Sequence, residues 1–185
     1  MAINTEELIS ENTVLYVDQV RKSYGKKRVL KNMSFSIEKG KIVGFLGPNG
    51  CGKTTLVKLI NGLMPVTDGV ILVGGKKIGK ETKAMVSYLP ERTYLNNWMK
   101  VKDILDFFED LFEDFDRQRA EQMFIDMKIG LNEKLKNLSK GTKEKVQLVL
   151  VMSRQADLYI LDEPIAGVDP AARSYIMKTI LTNLP

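Results

Sequence analysis

The chain has 185 residues, is 44% hydrophobic and 28% charged, carries a net charge of +5 and contains no histidine. This balance excludes a disordered or fibrous chain. No apolar run is long enough to cross a bilayer, and Glu6 and Glu7 stand where a secretory leader would carry positive charge. The single cysteine, Cys51, can form no internal disulfide and fits a reducing cytoplasm. Lysines such as Lys22, Lys26, Lys27, Lys39, Lys41, Lys76, Lys77 and Lys80 are scattered rather than massed, so no nucleic-acid partner is expected.

Taken in order, residues 1–12 read as a polar tail. Val14 to Val20 is an expected strand, Arg21 to Lys27 a basic turn, and Val29 to Ile37 a second strand with Phe35 and Ile37 on one face. Gly40 breaks it. Lys41-Ile42-Val43-Gly44-Phe45-Leu46 is short and apolar, as a buried strand would be. Next comes Gly47-Pro48-Asn49-Gly50-Cys51-Gly52-Lys53-Thr54, a glycine, four free positions, then Gly-Lys-Thr, followed by a helix from Thr55 to Asn61. Strand, glycine loop and helix in that order is the context of a phosphate-binding P-loop. Glycines let the backbone curl so that the amides of Asn49, Gly50, Cys51, Gly52 and Lys53 face an anion, and the helix start adds partial positive charge. Lys53 can bridge the β- and γ-phosphates of a nucleotide. Thr54 is placed to ligate Mg²⁺ and Thr55 to reach the α-phosphate.

Further on, Pro65 and Asp68-Gly69 mark a turn, Val70 to Val73 a strand closed by Gly74-Gly75, and Met85 to Leu89 a strand stopped by Pro90. From Val101 to Phe115 the apolar residues Ile104, Phe108, Leu111 and Phe115 recur at helical spacing; Ala120 to Met127 repeats the pattern with Met123, Phe124 and Met127. The acids Glu109, Asp110, Glu113, Asp114 and Asp116 read as a solvated face. Residues of about 92–140 thus form a helical subdomain inserted into an α/β core. After Leu138-Ser139-Lys140-Gly141-Thr142 a helix runs through Met152. Asp157 to Glu163 reads as a buried strand ending in two acids, and Asp169-Pro170 as the start of a last helix. At the strand's C-terminal end Asp162 is placed to hold Mg²⁺, and Glu163 to orient or deprotonate the water that attacks a γ-phosphate.

With these motifs in this order, the chain resembles the ATP-binding subunits of ABC transporters over essentially its whole length. Gly47 to Thr54 matches the Walker A motif, Leu158 to Asp162 the Walker B motif with the catalytic-type Glu163 behind it, Leu138 to Thr142 the signature sequence, and Gly167-Val168-Asp169 the D-loop. Tyr24 stands where the family stacks an aromatic on adenine. The resemblance implies a P-loop NTPase (RecA-like) α/β core with an N-terminal antiparallel β subdomain and the helical insertion, all in one nucleotide-binding domain over 1–185. It implies ATP and Mg²⁺ as ligands. A second nucleotide-binding domain pairs head to tail, with Ser139 and the Gly141 amide clamping the partner's ATP. A membrane-spanning transporter subunit then places the chain on the cytoplasmic face of the membrane.

Departures from the family pattern are Lys140 for Gly, Thr142 for Gln, and Glu91 for the Q-loop Gln; a carboxylate at Glu91 can still bind Mg²⁺ or a water. Tyr88-Leu89-Pro90-Glu91 resembles the export-type branch, including drug and bacitracin exporters. The family's switch histidine, which contacts the γ-phosphate, lies beyond the helix that ends this chain. The domain is therefore expected to be C-terminally incomplete, with weakened nucleotide binding and turnover. Two other readings stay open: a soluble ABC-type ATPase acting on nucleic acid or ribosomes, and a nucleotide-sensing module without turnover. Glu163 argues against the second. Trp98, near the Glu91 loop, fits either partner contact or core burial.

Overall fold

The computed structural model describes residues 10–91, 93–162, 173–174, 177–178 and 181. By internal packing the chain falls into two units, Met1–Val86 and Ser87–Pro185.

The first unit is a four-stranded antiparallel sheet of order β2-β1-β3-β4 with a helix against it. β1 (Thr13–Tyr24) and β2 (Lys27–Glu38) form a long hairpin, and β3 (Asp68–Val73) and β4 (Lys76–Lys77) complete the sheet. The basic stretch Arg21 to Lys27, expected as a turn, is mostly strand. β1 continues through Tyr24, and only Gly25-Lys26 turn, with Gly25 at φ +56° supplying the left-handed first position of a tight hairpin. Both pairings of β1 lose register around Gln19, which sits at φ +47°. Its amide is taken up by Ser34 Oγ at 2.8 Å, so the bulge leaves no orphan donor there. α1 (Lys53–Ile60) packs on β2 and β3 and buries Leu56, Leu59 and Ile60, and Val17, Val20, Leu30, Ile71 and Val73 of the sheet are buried as well.

One strand expectation fails. Residues 41–46 belong to no strand, and Ile42, Val43, Phe45 and Leu46 are exposed, Leu46 to 93%. A buried strand needs ladder partners and covered faces, and among the described residues no strand pairs with this segment.

The second unit is helical, with β5 (Val86–Leu89) leading into it and pairing with β6 (Leu158–Leu161); a short α2 (Lys80–Met85) precedes β5 in the chain. α3 (Val101–Leu111), α4 (Arg117–Asp126) and α5 (Lys140–Met152) surround one core of Ile104, Leu105, Phe108, Phe124, Leu135 and the run Val146–Met152. β6 is half-buried rather than fully buried, since β5 is its sheet neighbour among the described residues. α3 stops at Leu111, four residues before the periodicity suggests; Phe115 instead bridges to Arg154.

The acids are not simply a solvated face. Asp116 caps α4 by accepting from the Arg119 amide at 2.9 Å, and Glu109 shares Arg117 with Asp106 and Glu121. Asp114 takes a bidentate pair from Arg154, with both N–O distances 2.9 Å, and the Arg154 guanidinium lies 3.9 Å from the centre of the Phe112 ring. Arg154 is 3% exposed, so this pair is largely out of water.

Candidate functional site

The glycine loop sits in the first unit, and its shape follows from residue types. Gly50 and Gly52 hold φ +79° and +105°, values that L side chains rarely adopt. Gly52 is the N-cap of α1, and a Cβ there would meet Leu30 Cδ2 at 2.7 Å. The loop residues 47–51 are exposed, as is Thr54 in the first turn; Lys53 and Thr55 are half-buried. Cys51 is exposed too, its amide donating to the Pro48 carbonyl at 3.3 Å and its Sγ lying 2.7 Å from where a Gly47 Cβ would stand.

Lys53 Nζ folds back over the loop, donating to the Gly47 carbonyl at 2.6 Å and the Pro48 carbonyl at 3.1 Å. The ammonium is thereby held at the loop, beside the first amides of an eight-residue helix. That combination of fixed cation, helix N-terminus and pliable glycines suits a polyphosphate. Tyr24 is 48% exposed at the end of β1; its hydroxyl donates to Met64 Sδ at 3.1 Å and Lys22 Nζ lies 5.6 Å from its ring centre. A ring already ordered on a strand end presents its face at low entropic cost.

The second unit carries the other expected residues. The Asp162 amide donates to the Leu89 carbonyl at 2.9 Å, which brings the end of β6 beside the end of β5. Tyr88 registers the result. Burial lifts its phenol above the ordinary tyrosine value, and the carboxylates of Asp162 and Glu91 push it the same way. Of the two carboxylates, Glu91 is exposed and Asp162 half-buried. In the sequence Tyr88 stands out only as the first residue of the Tyr88-Leu89-Pro90-Glu91 motif.

Ser139 is the N-cap of α5: its Oγ accepts from the Thr142 amide at 3.2 Å and lies 2.8 Å from Thr142 Oγ1. The threonine that replaces the family glutamine therefore joins the cap, while Gly141 occupies the first turn beside it. Lys140 projects outward, its side chain 89% exposed and 3.9 Å from Glu144. Trp98 is 69% exposed, against core burial. Glu163 and the D-loop residues 167–169 lie outside the described residues. Among the described residues no cluster of three or more His, Cys, Asp or Glu could hold a metal, and no helix is long and apolar enough to cross a membrane.

A family model described as ABC transporter matches residues 30–166. The chain belongs to the ABC transporter family. Its relatives include the linearmycin resistance ATP-binding protein LnrL of Bacillus subtilis, 33% identical over 90% of this chain and 56% of that protein. The manganese transport system ATP-binding protein MntB of the same organism is 34% identical over 91% of this chain and 71% of its own length. A solved putative ABC transporter ATP-binding protein from Pyrococcus furiosus superposes with a TM-score of 0.79 at 31% identity, covering 92% of this chain and 85% of that one. The chain spans roughly half the length of several curated relatives, 56% and 46% for the first two. The likeness establishes the P-loop NTPase fold of ABC ATP-binding subunits, mixed α/β with an antiparallel β subdomain.

Proposed function

We propose that this chain is the ATP-binding and ATP-hydrolysing subunit of an ABC exporter. In this reading one nucleotide-binding domain closes on a second around ATP, and the closure drives a separate membrane-spanning subunit from the cytoplasmic face. The observation that carries the reading is the Lys53 ammonium held over a glycine loop at the start of α1, in a chain of this family. On arrival of a nucleotide, Lys53 exchanges two carbonyl acceptors for β- and γ-phosphate oxygens, a stronger charge-assisted pairing. The amides of Asn49 to Lys53 take further phosphate oxygens, Thr55 reaches the α-phosphate, and Tyr24 offers its ring to adenine.

The donors proposed for Mg²⁺, the Thr54 hydroxyl and the carboxylates of Asp162 and Glu91, are hard oxygens of the kind this ion takes alongside nucleotide phosphates. Bound there, the metal would offset the charge that builds on the transferring phosphoryl group. Glu163 is the proposed base for water, and Ser139 with the Gly141 amide the anion clamp for the partner's nucleotide. The export direction rests on the resemblance of Tyr88-Leu89-Pro90-Glu91 to that branch.

The test is equilibrium binding of a fluorescent ATP analogue to the chain and to Lys53→Ala. Affinity is expected to fall about tenfold to a hundredfold, the worth of one hydrogen bond to a charged group. Equal affinity would remove Lys53 from the site. Glu163→Gln with ATP and Mg²⁺ should shift the chain to a dimer in size-exclusion chromatography.

A further inference from the structure

The first unit carries a second cationic concavity that the nucleotide reading does not use. A hollow of about 430 Å³ opens across three adjacent strands and is lined by Arg21 and Ser23 of β1, Arg28, Leu30 and Lys31 of β2, Thr67 just before β3 and Asp68 at its start. Strand register builds it: Ser23 pairs with Arg28, and Arg21 with Asp68. None of residues 47–55 lines it.

Its charges are unequally spent. Arg21 is paired, with Nη1 3.2 Å from Asp68 Oδ2 and Nε donating to Asn32 Oδ1 at 3.3 Å. That pairing neutralises the only acid in the lining. Arg28 and Lys31 enter no ion pair among the described residues. The hydroxyl of Thr67 accepts from the Ser23 amide at 3.1 Å, which leaves its own hydrogen to donate. A concave wall that carries two uncompensated cations, a paired guanidinium and a hydroxyl donor focuses positive potential on the hollow. A guanidinium fork and an ammonium in one lining suit the tetrahedral, multiply charged phosphate better than a planar carboxylate.

We propose that this hollow is a binding site for a phosphate-bearing anion, distinct from the glycine loop. The chemistry is shared by a free phosphate group and by the headgroup of an acidic phospholipid, and the arms of the test separate them.

The 185-residue chain, labelled with ¹⁵N, is titrated with inorganic phosphate while the amides of Ser23, Arg28, Lys31 and Thr67 are followed by NMR. These amides are expected to shift together and saturably. Arg28→Ala with Lys31→Ala should weaken the titration about tenfold, the effect of two charge-assisted contacts discounted for exposure. The charge-keeping pair Arg28→Lys with Lys31→Arg should bind like the parent, as should Lys26→Ala, which removes one positive charge from the hairpin tip outside the lining. Lys53→Ala should keep this titration while losing nucleotide, so the two sites fail separately. In flotation with vesicles, recruitment by phosphatidylglycerol but not phosphatidylcholine, lost in the double alanine variant, would assign a lipid headgroup. Phosphate titration without recruitment would assign a soluble phosphate. Absence of shifts at these amides, or equal weakening by Lys26→Ala, would overturn the site.

Discussion

The two left-handed glycines of the loop allow a matched pair of substitutions. Gly50→Ala and Gly52→Ala both place a Cβ where φ is positive, at +79° and +105°. That alone costs about 1–2 kcal/mol for an L residue. The surroundings differ. A Cβ at Gly50 meets nothing within 4 Å, whereas one at Gly52 meets Leu30 Cδ2 at 2.7 Å, Val29 Cγ1 at 3.3 Å and the Val29 carbonyl at 3.4 Å. Leu30 is 4% exposed and packed, so it cannot swing away freely. Overpacking of a filled core adds about 1–3 kcal/mol, bringing Gly52→Ala to about 2–5 kcal/mol. At about 2–4 °C per kcal/mol for a chain of this size, Gly50→Ala should lower Tm by about 5 °C and Gly52→Ala by about 10 °C or more. The assay is thermal unfolding by circular dichroism, with nucleotide binding measured in parallel. Cys51→Ala should relieve Gly47→Ala, whose Cβ would lie 2.7 Å from Cys51 Sγ, and should not relieve Gly52→Ala. Equal losses at Gly50 and Gly52 would refute the reasoning, because the packing against β2 would then contribute nothing.

Three further outcomes are expected. Arg154→Ala strips the partner from a carboxylate whose side chain is 26% exposed, and should cost about 3 kcal/mol, the low end for a buried pair; a double-mutant cycle with Asp114→Ala should show coupling above about 1 kcal/mol. Phe124→Ala, at a fully buried position of the helical core, should cost about 3–5 kcal/mol in chemical denaturation without changing nucleotide affinity. Alkaline stability should depend on Tyr88. Its folded pKa is raised, so the folded state holds the proton more tightly; the stability this adds is present below the unfolded value of about 10 and is lost as pH rises through the folded one. Tyr88→Phe should flatten the fall in denaturant midpoint above pH 10, and an unchanged fall would dissociate Tyr88 from it.

The backbone of the glycine loop and the start of α5 could be read in the chain because both are local. A glycine loop announces its own backbone, and Ser139 lies where an N-cap should. What escaped was non-local. Nothing near Asp114 signals that Arg154, forty residues on, will claim it, so a run of acids looks like surface. Residues 41–46 look like a buried strand because they are apolar, yet strand formation is decided by neighbours. Tyr24 was placed in a turn because Arg21 to Lys27 is polar, but hairpin register and Gly25 carry the strand through it.

α5 has a consequence of its own. From Val146 to Met152 every residue is buried, so the helix has no side turned to solvent over its last two turns. Amide protons there should be among the slowest of the second unit to exchange with deuterium, opening only when that unit unfolds as a whole. Ser139, Lys140 and Gly141 therefore stand on the firmest post in their half of the molecule, and a partner that grips them takes hold of the entire helical unit rather than a loose end.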